Sequence, residues 1–184
     1  MASNSNEVEA KATGPRKGPW HETLRDGTPV VIRPMRTEDA EIARRFLSGL
    51  SPQSLEFRFL GQVRVTDDMI RRLTDVDPQS GAALVAVHEG AGGGGEVGVG
   101  RFYLDVDRAT CECAIVVSDE WQGRGLGHLL MRHLIDIARE RGIRRMYSID
   151  AAENRNMQEL AATFGFERVV QPDYPREVIH SLRL

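Results

Sequence analysis

The run Gln122-Gly123-Arg124-Gly125-Leu126-Gly127 sets glycines at alternate positions beside two side chains that carry hydrogen-bond donors. An apolar stretch, Ala114-Ile115-Val116-Val117, precedes it, and residues with helical apolar spacing follow. The first N–H groups of a helix have no partner inside the helix and carry partial positive charge. A glycine turn at that point lets backbone come close to an anion, above all a pyrophosphate. Gln122 and Arg124 would add side-chain donors to it. Upstream, Glu112 stands between Cys111 and Cys113. In a strand it faces away from both cysteines. Among apolar neighbours desolvation would raise its pKa, which suits a general base.

These residues need a strand, a turn and a long helix to hold them. Leu126, Leu129, Leu130, His133, Leu134, Ile137 and Ala138 form one stripe at helical spacing, so the helix runs from Gly125 to Arg141, capped by Gly142. Before it, Ala82–His88, Glu96–Leu104 and Thr110–Ser118 read as an antiparallel meander, with the glycine-rich stretch 90–95 as its first hairpin loop. No Lys-Ser or Lys-Thr pair follows that loop, so it is not a P-loop. Earlier still come a strand over Thr28–Arg33 and helices opened by Thr37, Ser51-Pro52 and Thr66. After the long helix come a strand to Asp150, a helix over Asn154–Phe164, and closing strands over Phe166–Val170 and Glu177–Leu184. This order predicts an α+β fold around one mixed sheet. Residues 1–20 are polar and read as a disordered tail, leaving 21–184 as the domain.

The phosphate-turn spacing resembles the Gln/Arg-x-x-Gly-x-Gly/Ala signature of the GNAT N-acetyltransferases, matched by Gln122, Gly125 and Gly127. Asn154, followed by Leu160 and Gly165-Phe166, resembles the family's second element. The resemblance covers residues 28–184. It implies a mostly antiparallel sheet flanked by helices and acetyl-CoA as acyl donor. It also implies contacts from Asn154 to the pantetheine or phosphate region, and a strand around Ile115, Val116 and Val117 splayed to admit pantetheine. Backbone N–H groups near Val116 and Val117 would then face the oxyanion. Within the family, Leu50–Leu55, Arg58-Phe59 and the stretch from Ala114 to Gly127 are similar to bacterial protein lysine acetyltransferases. Those enzymes carry a catalytic Glu at the place of Glu112. A lysine amine has a pKa of about 10.4 and must lose a proton before it attacks. The Tyr that serves many relatives as general acid is Ala161 here, which leaves departure as an unaided thiolate or a donor such as Tyr147.

Three functions remain open at this point: acetylation of a protein lysine, with acetyl-CoA synthetase as one candidate acceptor; acetylation of a small amine; and non-catalytic binding of acyl-CoA. A dinucleotide site built on Gly123, Gly125, Gly127 and Asp150 competes with all three, but the last glycine of that fingerprint is misplaced. The chain has 184 residues and a net charge of -3, which suits one domain and disfavours a phosphate-contacting nucleic-acid binder. The two cysteines provide neither a disulfide framework nor zinc spacing, so no metal is expected. With no apolar leader or spanning run, the expectation is a cytoplasmic protein, monomeric or homodimeric, without membrane contact.

Overall fold

The structure, a computed structural model, describes residues 18–90, 94–170 and 173–184. It has eight strands and five helices: β1 (Trp20–Thr23), β2 (Pro29–Pro34), α1 (Ala40–Gly49), α2 (Pro52–Phe59), α3 (Asp67–Thr74), β3 (Gly81–His88), β4 (Gly95–Leu104), β5 (Thr110–Val117), α4 (Leu126–Glu140), β6 (Arg145–Ala151), α5 (Arg155–Thr163), β7 (Glu167–Val170) and β8 (Glu177–Arg183). The strands form one sheet in the order β1-β2-β3-β4-β5-β6-β8-β7. Every neighbouring pair is antiparallel except β5 and β6, which run parallel. The expected mixed, mostly antiparallel α+β architecture is therefore what forms. Among the described residues, no helix is long and apolar enough to cross a membrane.

The local signals act as expected. Ser51 and Thr66 cap α2 and α3 by accepting from Ser54 N–H and Met69 N–H. The stripe of α4 lies against the sheet, with Leu130, Met131 and Leu134 fully buried beside Phe102, Cys111 and Met146. The sheet lets α4 approach closely at Gly100, where an added Cβ would come within 3.0 Å of Leu134 Cδ1. Cys111 and Cys113 are buried free thiols on this face. Burial and, secondarily, the Asp105 carboxylate push the Cys111 thiol up to about 12, so it behaves as a small apolar group. Helices α1 and α3 cover part of the other face, packing Phe46, Leu47 and Ile70 on Val99 and Val116.

Two features lie beyond what the sequence pattern specified. β1 begins at Trp20, the last residue of the segment assigned to the tail; residues 1–17 of that segment lie outside the described residues. Trp20 stacks on His133 at 4.4 Å, and Glu22 accepts from His133 Nε2 at 2.7 Å, which gives this helix histidine its partners. The last strand also inserts between β6 and β7, because β8 pairs with both.

Candidate active site

The parallel ladder between β5 and β6 is short. Thr110, Cys111 and Glu112 pair with Arg145, Met146 and Tyr147, and then the strands diverge. The gap opens into a cleft of about 350 Å³. Its walls include Ala114–Val117 of β5, Ile149 and Asp150 of β6, the turn leading into α4, the near side of α5, and Gln53, Ser54, Phe57 and Arg58 of α2.

Gly125 is the N-cap of α4 with φ 92°, and Gly123 has φ 73°, so both need the conformational freedom of glycine. Leu126 turns inward and anchors the turn, while Gly127 lines the cleft. The opening N–H groups of α4 thus meet the cleft, as an anion site requires. The side chains of the turn behave differently from expectation. Gln122 Nε2 donates to Ser54 Oγ (3.3 Å) and to the Val117 carbonyl (3.1 Å), and its Oε1 accepts from Asn156 (3.2 Å). It ties α2, β5 and α5 together and has no amide proton left for a phosphate. Arg124 pairs with Asp26 at 3.4 Å and lies over the Trp121 ring at 5.0 Å, outside the cleft lining. Arg25 lines the cleft instead. No sequence signal pointed to it, because it arrives from the distant β1–β2 turn.

The peptide groups of β5 alternate in direction. Ser118 N–H donates to Val97 on β4 at 3.0 Å, so Val116 also points its N–H at β4. Ile115 and Val117 turn theirs toward the gap, and the bond from Gln122 to the Val117 carbonyl shows the same orientation. Val116 therefore does not offer its N–H to the gap; Val117 and Ile115 do. Asn154 caps α5 by accepting from Met157 N–H at 3.1 Å and also lines the cleft. Its amide nitrogen has no partner among the described residues.

Glu112 occupies the last paired rung before the gap, on the same face as Ala114 and Val116. Its register partners are Tyr103 on β4 and Tyr147 on β6. The apolar burial expected for it is not found: the side chain is exposed, among tyrosines and Arg58. Its pKa is still raised, by desolvation and then by the Asp105 carboxylate, with Arg58 opposing. Tyr147 donates to Asp105 at 3.3 Å. Burial, Asp105 and Glu112 push its phenol up to about 12, and it flanks Glu112 rather than filling the core. Tyr103 could have been found from the sequence, since the turn after Leu104 fixes the hairpin register that sets it opposite Glu112. Ala161 is fully buried in α5.

Asp150, the ribose-binding candidate of the competing dinucleotide reading, is committed elsewhere. It accepts from Ser148 Oγ at 2.5 Å and from His180 Nδ1 at 2.8 Å, all three being buried. The sheet around it is mostly antiparallel, against a doubly wound layout. Residues 52–166 match the family model described as the acetyltransferase (GNAT) family. The chain belongs to the GNAT family. It is an acetyltransferase by that membership. It is 44% identical to an acetyltransferase of Pseudomonas aeruginosa over 166 residues, 90% of this chain and 89% of that one. The GNAT domain of PAT from S. lividans superposes with a TM-score of 0.80 at 26% identity, over 90% of this chain and 96% of that one. An acetyltransferase from Salmonella typhimurium, solved with acetyl-CoA, shares the fold with a TM-score of 0.65 at 22% identity, over 84% and 94% of the two chains.

Proposed function

We propose that this GNAT enzyme transfers the acetyl group of acetyl-CoA to the side-chain amine of a protein lysine, with Glu112 as general base. The observation that carries the reading is the position of Glu112 on the last closed rung of β5 and β6, at the apex of the gap and on an open face. An exposed base beside the exposed Tyr103 suits an amine carried on a large body. The resemblance of Leu50–Leu55, Arg58-Phe59 and the stretch from Ala114 to Gly127 to bacterial protein lysine acetyltransferases supports this substrate class.

The chain's own groups divide the work. Backbone N–H groups of Ile115 and Val117 face the gap where an oxyanion needs donors. The α4 N-terminus and its glycines receive the pyrophosphate. Glu112, with its raised pKa, takes a proton from the acceptor ammonium directly or through water; the neutral amine then adds to the thioester carbonyl, and collapse of the tetrahedral oxyanion breaks the C–S bond while the remaining proton on nitrogen passes to solvent. With Ala161 buried and Tyr147 donating to Asp105, no side chain of α5 or β6 is set to protonate the leaving sulfur. The thiolate, with a thiol pKa of roughly 8.5, leaves unaided.

Titration calorimetry with acetyl-CoA, using NAD for comparison, tests the donor site. Binding of acetyl-CoA alone is expected; binding of NAD alone would overturn the reading. An acceptor screen then sets acetyl-CoA synthetase and lysine peptides against spermidine and free amino acids. Turnover confined to the small amines would replace the lysine assignment. Binding without turnover on any amine would leave an acyl-CoA-binding module.

A further inference from the structure

Arg25 comes from the turn between β1 and β2, far in sequence from the phosphate turn, yet the two are built against each other. Arg25 N–H donates to the Arg124 carbonyl at 3.0 Å. Its side-chain stem lies over Gly125, where an added Cβ would come within 3.2 Å of Cγ and 3.3 Å of Nε. A side chain at 125 would thus crowd Arg25 as well as strain the backbone. Arg25 lines the cleft together with Gly123, Gly125, Gly127 and His128.

The two arginines at this turn differ in one decisive respect. Arg124 is paired with Asp26 and stacked on Trp121. The guanidinium of Arg25 has no carboxylate partner among the described residues, and it stands beside the helix end whose N–H groups already carry positive charge. His128, stacked on Phe164 at 4.5 Å, reports the same field: burial first, then Arg132 and Arg25, lower its pKa. The Arg25 guanidinium and the α4 N-terminus thus place positive charge side by side at this end of the cleft, and among the described residues no carboxylate is paired with Arg25. A planar guanidinium presents paired donors that match phosphate oxygens.

We propose that Arg25 binds the phosphates at the nucleotide end of the acyl-CoA, the charge-pairing role that Arg124 does not fill. This rests on the acetyl-CoA reading above. It adds a binding residue from outside the glycine turn and gives the β1–β2 hairpin a part in cofactor recognition.

The test compares Arg25→Met and Arg25→Lys with the wild type. Met keeps an unbranched stem over Gly125 and removes the charge; Lys keeps a cation. Dissociation constants are measured for acetyl-CoA, its 3′-dephospho derivative and acetyl-pantetheine, which has no phosphate. Arg25→Met is expected to weaken acetyl-CoA binding by about 10- to 100-fold, the loss of a charge-assisted phosphate contact, and to leave acetyl-pantetheine unchanged. Arg25→Lys should retain most of the affinity. A matching loss for the dephospho derivative assigns the pyrophosphate as partner, and insensitivity of that derivative assigns the 3′-phosphate; both support the proposal. Unchanged acetyl-CoA affinity in Arg25→Met would overturn it. So would equal losses for acetyl-CoA and acetyl-pantetheine, which would make Arg25 a packing residue only. Failure of the wild type to bind acetyl-CoA is a separate outcome that removes the acetyl-CoA reading and this inference with it.

Discussion

The two faces of the central sheet are made from the same strands and do opposite work. Under α4 the strands present Phe102, Cys111, Cys113 and Met146, none more than 2% exposed. One residue over on those strands, the other face presents Arg101, Tyr103, Glu112 and Tyr147. The first face is dry and packed; the second is charged, aromatic and partly open. Strand alternation makes this separation sharp, because a slip of one residue would exchange the two sets. Chemistry and stability are thus adjacent in sequence yet divided by the thickness of the sheet, and substitutions on β5 should split cleanly by parity.

The sharpest test of that split is Glu112→Gln. On the open face it should lower turnover by about 10²- to 10⁴-fold, the usual contribution of a general base. The melting temperature and the acetyl-CoA dissociation constant should both hold. The wild-type rate should rise as pH increases through the Glu112 pKa, which lies above the ordinary carboxylate value, and this limb should vanish in the variant. Turnover that survives the substitution would remove Glu112 from the mechanism and leave the open face without a base. The converse is Leu134→Ala on the dry face. Leu134 is fully buried against the sheet, and truncation should cost about 3 kcal/mol through lost burial and a residual cavity. Below the lowered melting transition, kcat should be close to wild type. A large kcat defect at full folding would mean that the two faces are coupled.

A third test concerns a stretch where the open face buries charge. Glu96 is 8% exposed and Arg101 is 4% exposed, and Glu96 Oε2 and Arg101 Nε have no hydrogen-bond partner. Both residues line a small cavity of about 10 Å³ beneath α1 and α3, room for roughly one water. Burial raises the Glu96 pKa to about 8, with Arg101 opposing. The folded state therefore holds this proton over a pH range in which the unfolded chain has released it. Stability falls as pH rises from the unfolded carboxylate value through about 8, then levels off. Glu96→Gln should abolish that slope and raise stability relative to the wild type at pH 8, with little change near pH 4. Equal melting temperatures across this range would show that Glu96 is hydrated and ionised.

How much of this was legible in the sequence follows from the range of each interaction. Helix α4 carried a broad apolar stripe, and β3, β4 and β5 carried apolar runs bounded by turns, so local pattern sufficed. The alternate glycines around the start of α4, Gly123, Gly125 and Gly127, placed the phosphate turn for the same reason. Strand β1 is short and alternates polar residues, so Trp20 had no local reason to leave the tail; its partners Ile32 and His133 are distant in the chain. The insertion of β8 beside β6 is likewise invisible in chain order. Within the site, Gln122 is a candidate through its place in the glycine turn, and Asn154 through the resemblance of Asn154, Leu160 and Gly165-Phe166 to the family's second element. The attachments of Gln122 to Ser54 and Asn156 were not legible, since hydrogen bonds between helices leave no period. The choice of Val117 over Val116 depends on the phase of the β4–β5 ladder, which spacing does not set. Arg25 could come only from the folded chain.

The smallest expected effect lies where the two faces meet, at the end of β5. Asp119 accepts from Ser51 N–H (3.0 Å), Ser51 Oγ (2.7 Å) and Ser54 Oγ (2.8 Å), pinning the N-terminus of α2 beside the cleft. Desolvation by the neighbouring α2 works against its ionisation, but these hydrogen bonds prevail and hold its pKa below the usual value. Its contribution is present above the unfolded carboxylate pKa and disappears as pH falls through the lower folded one. The carboxylate is exposed, so Asp119→Ala should cost only about 1 kcal/mol in stability. Its effect on function should exceed its effect on folding. Without the anchor, α2 no longer holds Ser54 against Gln122, and the KM for acetyl-CoA should rise several-fold while kcat changes little. Asp119→Asn, which keeps one acceptor oxygen, should recover part of the loss. If KM is unmoved while stability drops, α2 belongs to the packing of the open face alone, and the wall of the cleft does not depend on this tether.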